Sequence, residues 1–346
     1  MGVTGKVRIG TIGTGKIVRR FLAGVAKCPL IEYQAVYSRS EEKAKDFAAE
    51  YGVEKYYTTL EGLAQDPDID GVYIASPNFL HCEQAVFLME HGKHVLVEKP
   101  VASNERELER MQQAAQRNHV VFLEAMRSIF APGYQVIQEN LPKLGQIRRV
   151  TFQYCQYSSR YDNFKKGIIE NAFKPELSNG ALMDIGVYCV YALVMMFGMP
   201  DKIQAQGVFL ENGVDGAGTI IGIYPDKQAE LIYSKITDSS SPSQIQGEKA
   251  NMLISEVGRV QELTICYRNG ETEQISIDLD PDDMVYEAGT WADCILNHKE
   301  TKAYDQYSRM EMKLMDEARK LMGICFPAKG WLAAQMPRYG SSRSRK

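Results

Sequence analysis

The chain has 346 residues, 45% of them hydrophobic, enough for a sizeable core and about two domains. A formal net charge of -4 excludes nucleic acid or an anionic membrane as the main partner and leaves a small molecule as the expected one. Seven cysteines stand singly with no C-x-x-C, and five histidines never pair at ligand spacing, which argues against any metal site and for a reducing, cytoplasmic setting.

No charged segment followed by an apolar one opens the chain, so no export signal is expected. Val7 to Gly13 reads as a buried strand and runs into G-T-G-K-I-V, after which an apolar-periodic segment continues to Ala26. Strand, glycine loop and helix in that order predict a dinucleotide site formed by Gly13, Thr14, Gly15, Lys16 and Ile17, with Val18 replacing the third glycine. Gly13 and Gly15 let the backbone approach a pyrophosphate, which the free N-H groups and dipole of the helix then stabilise. The next strand, 31–37, ends in Ser38-Arg39-Ser40, where NAD-binding sheets carry an acid for the ribose hydroxyls. A hydroxyl and a guanidinium suit a 2'-phosphate better, so NADP(H) is expected over NAD(H). The other reading of Arg39 is a solvated turn residue.

A short strand at Tyr56-Tyr57, a helix near Leu60 and a strand over 71–75 lead to S-P-N-F-L-H, in which Ser76, Asn78 and His81 are candidate cofactor contacts and Asn78 a candidate helix cap. Residues 92–100 read G-K-H-V-L-V-E-K-P: a glycine turn, a strand, then Glu98, Lys99 and Pro100 at its carboxyl end. Ligands of open parallel sheets sit outside the carboxyl ends of the strands, and Pro100 keeps Lys99 extended toward that crevice. Ser103 is expected to cap a helix running to Asn118, and 120–123 makes the sixth strand.

Beyond Glu124 the pattern changes. After a helix over 132–140, long β-branched stretches at 147–157, 203–210, 218–224, 228–237, 251–255, 260–267 and 272–277 predict a mostly antiparallel sheet with one covered face. Between the first two lies 180–198, a nearly all-apolar helix whose longest apolar run is too short to span a bilayer. It begins with Asp184, Gly186 and Tyr188, and a buried carboxylate there needs partners. Amphipathic helices over 282–298 and 304–322 and a basic tail complete the chain. The fold class is α/β: a Rossmann dinucleotide-binding domain over 1–122, an α+β domain with a large open sheet over 123–334, and a flexible tail over 335–346.

With these motifs assembled, the chain resembles the Gfo/Idh/MocA oxidoreductases over nearly its whole length, through G-x-G at Gly13, S-P-N-x-x-H at Ser76, G-K-H-V-x-x-E-K-P at Gly92, E-A at Glu124 and G-A-L-x-D-x-G-x-Y at Gly180. The last block, D-I-G-V-Y-C-V, is similar to the dimeric dihydrodiol dehydrogenase-like subgroup. That resemblance implies a catalytic pair of Lys99 and Tyr188, NADP as cofactor, and homodimers, or dimers of dimers, through the open face of the second sheet. Met126-Arg127-Ser128-Ile129 and Asn179 depart from the subgroup's pattern, so its substrate is not carried over.

The expected activity is hydride transfer between a nicotinamide and a carbonyl or hydroxyl of a small polyol, sugar or diol, trans-dihydrodiols included. Tyr188 would exchange a proton with the reacting oxygen, and Lys99 would polarise it and hold the nicotinamide ribose. Asp184 would orient the pair or relay a proton, and Glu98 would touch the ribose. The ammonium would favour a phenolate, and burial beside an oxidised nicotinamide would lower the lysine pKa. Arg127 faces either an anionic substrate or a surface carboxylate. The alternatives are a nucleotide-binding sensor without catalysis and an oxidoreductase whose cofactor never leaves.

Overall fold

The computed structural model describes residues 5–327; the tail 335–346 lies outside them. The first sheet has six parallel strands: β1 (Val7–Ile12), β2 (Ile31–Tyr37), β3 (Lys55–Tyr57), β4 (Gly71–Ile74), β5 (His94–Glu98) and β6 (Phe122–Ala125), in the order 3-2-1-4-5-6. Helices α1 (Lys16–Ala26), α2 (Glu41–Glu50), α3 (Leu60–Gln65), α4 (His81–Glu90) and α5 (Glu105–Asn118) join them. The strand order reverses between β1 and β4, which opens a ligand crevice at their carboxyl ends. α1 forms because Val18, Phe21, Leu22 and Val25 fall on one buried face.

Two expected caps differ. Asn78 starts a 3-10 turn, Asn78–Leu80, and α4 begins at His81 without a side-chain cap. The cap of α5 is Asn104, whose side chain accepts from Glu107 N at 3.0 Å, while the Ser103 N-H donates to the Glu107 carboxylate. Ser-Asn offers two capping side chains in a row, and the geometry selects the second.

α6 (Arg127–Phe130) and α7 (Gly133–Asn140) lead to the second sheet. Its strands are β7 (Ile147–Cys155), β8 (Lys202–Phe209), β9 (Asp215–Ile223), β10 (Gln228–Ser234), β11 (Ser243–Gly247), β12 (Ala250–Ile254), β13 (Glu262–Tyr267) and β14 (Thr272–Ser276), ordered 14-13-12-11-7-10-9-8. Only the central β7–β10 pair is parallel. β11 is an addition to the expected strands, since S-Q-I-Q-G carries a single apolar residue, Ile245, and owes its place to long-range pairing with β7 and β12.

α8 (Ser159–Lys165) follows β7, and α9 (Val187–Phe197) is buried over most of its length, inside the core. Two helices complete the described residues, α10 (Met284–Leu296) and α11 (Lys302–Met322). By sequence α10 falls within 123–334. By packing it joins the first sheet: Met284, Ala288, Trp291 and Ala292 share a core with Val7, Ile9, Val18 and Phe21.

Candidate active site

The carboxyl ends of β1, β2 and β4 frame a cleft of about 160 Å³ lined by Gly13, Thr14, Ser38, Arg39, Ser76, Pro77 and Gln84. Gly13 has φ 111°, and a Cβ there would sit 3.2 Å from the Ala75 carbonyl oxygen, so glycine is required where the backbone turns. Gly15 caps α1 without a side-chain hydrogen bond, which leaves the first N-H groups of the helix to a phosphate. Arg39 is exposed and makes no hydrogen bond or ion pair among the described residues. These features fit a dinucleotide. Lys16 and Ile17 open α1 beside them.

Ser76, Asn78 and His81 are engaged with the protein. The Ser76 hydroxyl donates to Gln84 at 2.6 Å. Asn78 donates to the Ser178 carbonyl at 2.9 Å and to the Asn179 side chain at 3.0 Å, tying the first domain to the second. His81 is fully buried, with Nδ1 3.0 Å from the Pro100 carbonyl oxygen and Nε2 2.8 Å from that of Ser76. It fastens the loop after β4 to the loop after β5.

Lys99 leaves β5 and reaches the head of the apolar helix. Its Nζ donates to the Asp184 backbone oxygen at 2.7 Å and to Oδ1 at 3.0 Å, and lies 5.1 Å from the centre of the Tyr188 ring. Eighty-five residues of chain separate Lys99 from Asp184. Asp184 sits in a π-helical turn, Leu182–Gly186, that precedes α9, and Tyr188 is in the first turn of α9. Such widened turns are rare and frequent at functional sites. The turn starts from Gly180 (φ 150°), where a Cβ would overlap Oδ1 of Asp215, and the other Asp215 oxygen accepts Leu182 N at 2.7 Å.

The charges are set by pairing. Burial opposes the Lys99 charge, yet Tyr188, Asp184 and Glu98 outweigh it and hold its pKa above the ordinary lysine value. That balance is the one set by the protein's own side chains, before the charge of an oxidised nicotinamide is added. Burial would raise Asp184, but Lys99 and Lys235 hold it well below the carboxylate range. Lys235, 3% exposed, bonds the second Asp184 oxygen, and its own pKa is lowered by burial. Burial pushes Asp215 up to about 7. Glu98 is raised by burial too; it accepts from the Tyr73 hydroxyl and from Lys99 N.

Arg127 pairs with Asp283 at the head of α10, a carboxylate only 4% exposed and therefore not a surface one. Its guanidinium carbon is 5.8 Å from the Tyr188 ring centre, and the Tyr154 ring stands 5.4 Å from the same ring. Lys235, Asp215, Tyr154 and Asp283 escaped the sequence reading. A signal existed for one: Lys235 continues the inward phase of Ala229, Leu231 and Tyr233. Among the described residues no cluster of three His, Cys, Asp or Glu could hold a metal ion.

A doubly wound sheet with a glycine loop at its switch point, facing a second domain that supplies polar groups to the same crevice, defines a dinucleotide-dependent enzyme class. The chain belongs to the Gfo/Idh/MocA family. Residues 7–126 match the profile described as "Oxidoreductase family, NAD-binding Rossmann fold", and residues 136–252 match the "GFO/IDH/MocA C-terminal domain". It is an NAD(P)-dependent oxidoreductase, which displaces the sensor alternative.

Among its relatives, scyllo-inositol 2-dehydrogenase (NADP(+)) IolU of Bacillus subtilis is 46% identical over 93% of this chain and 99% of its own. Trans-1,2-dihydrobenzene-1,2-diol dehydrogenase of Xenopus laevis is 30% identical over 92% and 98%. KijD10, a 3-ketoreductase from Actinomadura kijaniata solved with NADP and TDP-benzene, superposes with a TM-score of 0.83 at 22% identity, covering 92% of this chain and 98% of that one. At that identity the likeness is one of fold.

Proposed function

We propose that the enzyme transfers hydride between NADP(H) and a secondary carbinol or ketone carbon of a small cyclic polyol, with Lys99 and Tyr188 as the catalytic pair. The observation that carries this reading is the convergence of the Lys99 ammonium, the Asp184 carboxylate and the Tyr188 ring just past the carboxyl end of β5. The nicotinamide, when bound, accepts or supplies the hydride. Tyr188 takes the proton of the substrate hydroxyl in oxidation and returns it to the alkoxide in reduction. Lys99, fixed by both the carboxylate and the carbonyl of Asp184, stabilises the negative oxygen between those states. Asp184, held as a carboxylate by two ammoniums, orients Lys99, and Glu98 would contact the nicotinamide ribose.

The unpartnered Arg39 beside Ser38 supports NADP(H), as does the NADP(+) in the name of the relative at 46% identity. That relative's name also favours an inositol-like ring among polyols, sugars and diols. A homodimer through the outer face of the second sheet is supported by exposed Val208 on β8 and Ile223 on β9, which share that face.

The test is nicotinamide absorbance on mixing the enzyme and NADP(+) with inositols, aldoses and trans-dihydrodiols. Turnover is expected with an inositol. Silence with all three classes overturns the substrate assignment.

A further inference from the structure

Lys235 follows β10 directly, and its backbone is pinned on both sides: its N-H donates to Gly216 at 2.8 Å and its carbonyl accepts from Ser158 at 2.9 Å. A buried ammonium is tolerated only when paired. Its partner is one oxygen of Asp184, whose other oxygen is bonded to Lys99, and the ring of Phe173 covers it at 5.1 Å. The carboxylate therefore bridges two ammoniums. Lys99 retains 14% exposure of its side chain at the crevice, whereas Lys235, at 4%, stands behind.

We propose that Lys235 is a positioning residue of the hydride-transfer site: by holding one oxygen of Asp184 it fixes the other, and with it the Lys99 ammonium, at the reacting centre. The proposal rests on the reading of Lys99 as catalytic. It also explains the charge balance. The Asp184 carboxylate is shared between two ammoniums, so it offsets the charge of Lys99 less than it would if it faced Lys99 alone.

The charged groups facing Lys235 are Asp184 from the π turn, Lys99 from the end of β5, Arg160 from α8 and Asp215 from β9. Of these only Asp184 is bonded to it. Removing the Lys235 charge takes away one of the two cations that keep Asp184 ionised, so Asp184 gains its proton at a higher pH than in the parent.

Three variants separate the roles. Lys235→Met removes charge and hydrogen bond, Lys235→Gln keeps a donor of similar reach without charge, and Lys235→Arg keeps the charge. With an inositol as substrate, the Met and Gln variants are expected to lose about tenfold or more in kcat, and the acidic limb of kcat/KM is expected to move up by about a unit or more. Lys235→Arg should keep the limb where it is in the parent. NADPH affinity, read by fluorescence, should be unchanged in all three, because Lys235 does not line the cleft formed by the glycine loop.

A substrate-free measurement keeps this test apart from the substrate assignment: the carbon-13 titration of the Asp184 carboxyl in labelled protein. An upward shift in Lys235→Gln, with the kcat loss wherever turnover is measurable, supports the proposal. An unmoved Asp184 titration, or a shift with kcat intact, overturns it, including where Lys235→Met does not fold.

Discussion

A lysine can stabilise an alkoxide only while it carries its charge, and Lys99 does so because Tyr188, Asp184 and Glu98 surround it. Replacing it with methionine keeps length and removes charge, so Lys99→Met is expected to lower kcat/KM by about 10²-fold or more in a steady-state assay. Tyr188→Phe keeps the ring against Tyr154 and removes the proton donor, with a loss of the same order in kcat. Arg39, exposed beside the glycine-loop cleft, is expected to affect cofactor binding and not the chemical step. Arg39→Ala should weaken NADPH about tenfold or more, the worth of one charge-assisted pair, and leave NADH unchanged in a fluorescence titration. Lys99, Asp184 and Tyr188 were legible in sequence because each sits in a short word whose neighbours, a proline or two glycines, fix its surroundings. Lys235 was not, since S-K-I gains meaning only when the strand's inward phase is known and Asp184 is seen to meet it.

At the scale of elements, the π turn over Leu182–Gly186 is the part on which the site geometry depends. Gly180→Ala would force a positive-φ side chain into Asp215, costing about 1–3 kcal/mol and shifting Asp184, so both the melting temperature and kcat should fall. Asp215 couples this element to pH. Its folded pKa is raised from 3.8 to about 7, so the native state binds more protons between those values and stability falls as pH rises through that window. Asp215→Asn keeps an acceptor for Leu182 N and should remove a slope of up to ~1.4 kcal/mol per pH unit, seen in urea melts across that range. A helix over 180–198 was readable from its apolar run, but not its widened first turn, which depends on contacts from β9 and β10. β11 was missed for a related reason: its serine, two glutamines and glycine carry no local strand signal.

At the scale of the molecule, the parallel half was legible strand by strand because buried βα units write continuous apolar runs closed by glycine turns. The second sheet was legible as a kind, though not in its order, since no local feature says that β7 and β10 run side by side and parallel at its centre. Least legible was α10, whose amphipathic pattern says that it packs and not where. It carries Trp291, fully buried, into the core beneath β1 and α1. That placement bears on biosynthesis. Although the nucleotide half leaves the ribosome first, it lacks part of its own interior until α10, encoded after β1 to β14, has emerged. A nascent chain arrested just past β6 should therefore be cut readily by protease, and one arrested well beyond α10 should resist.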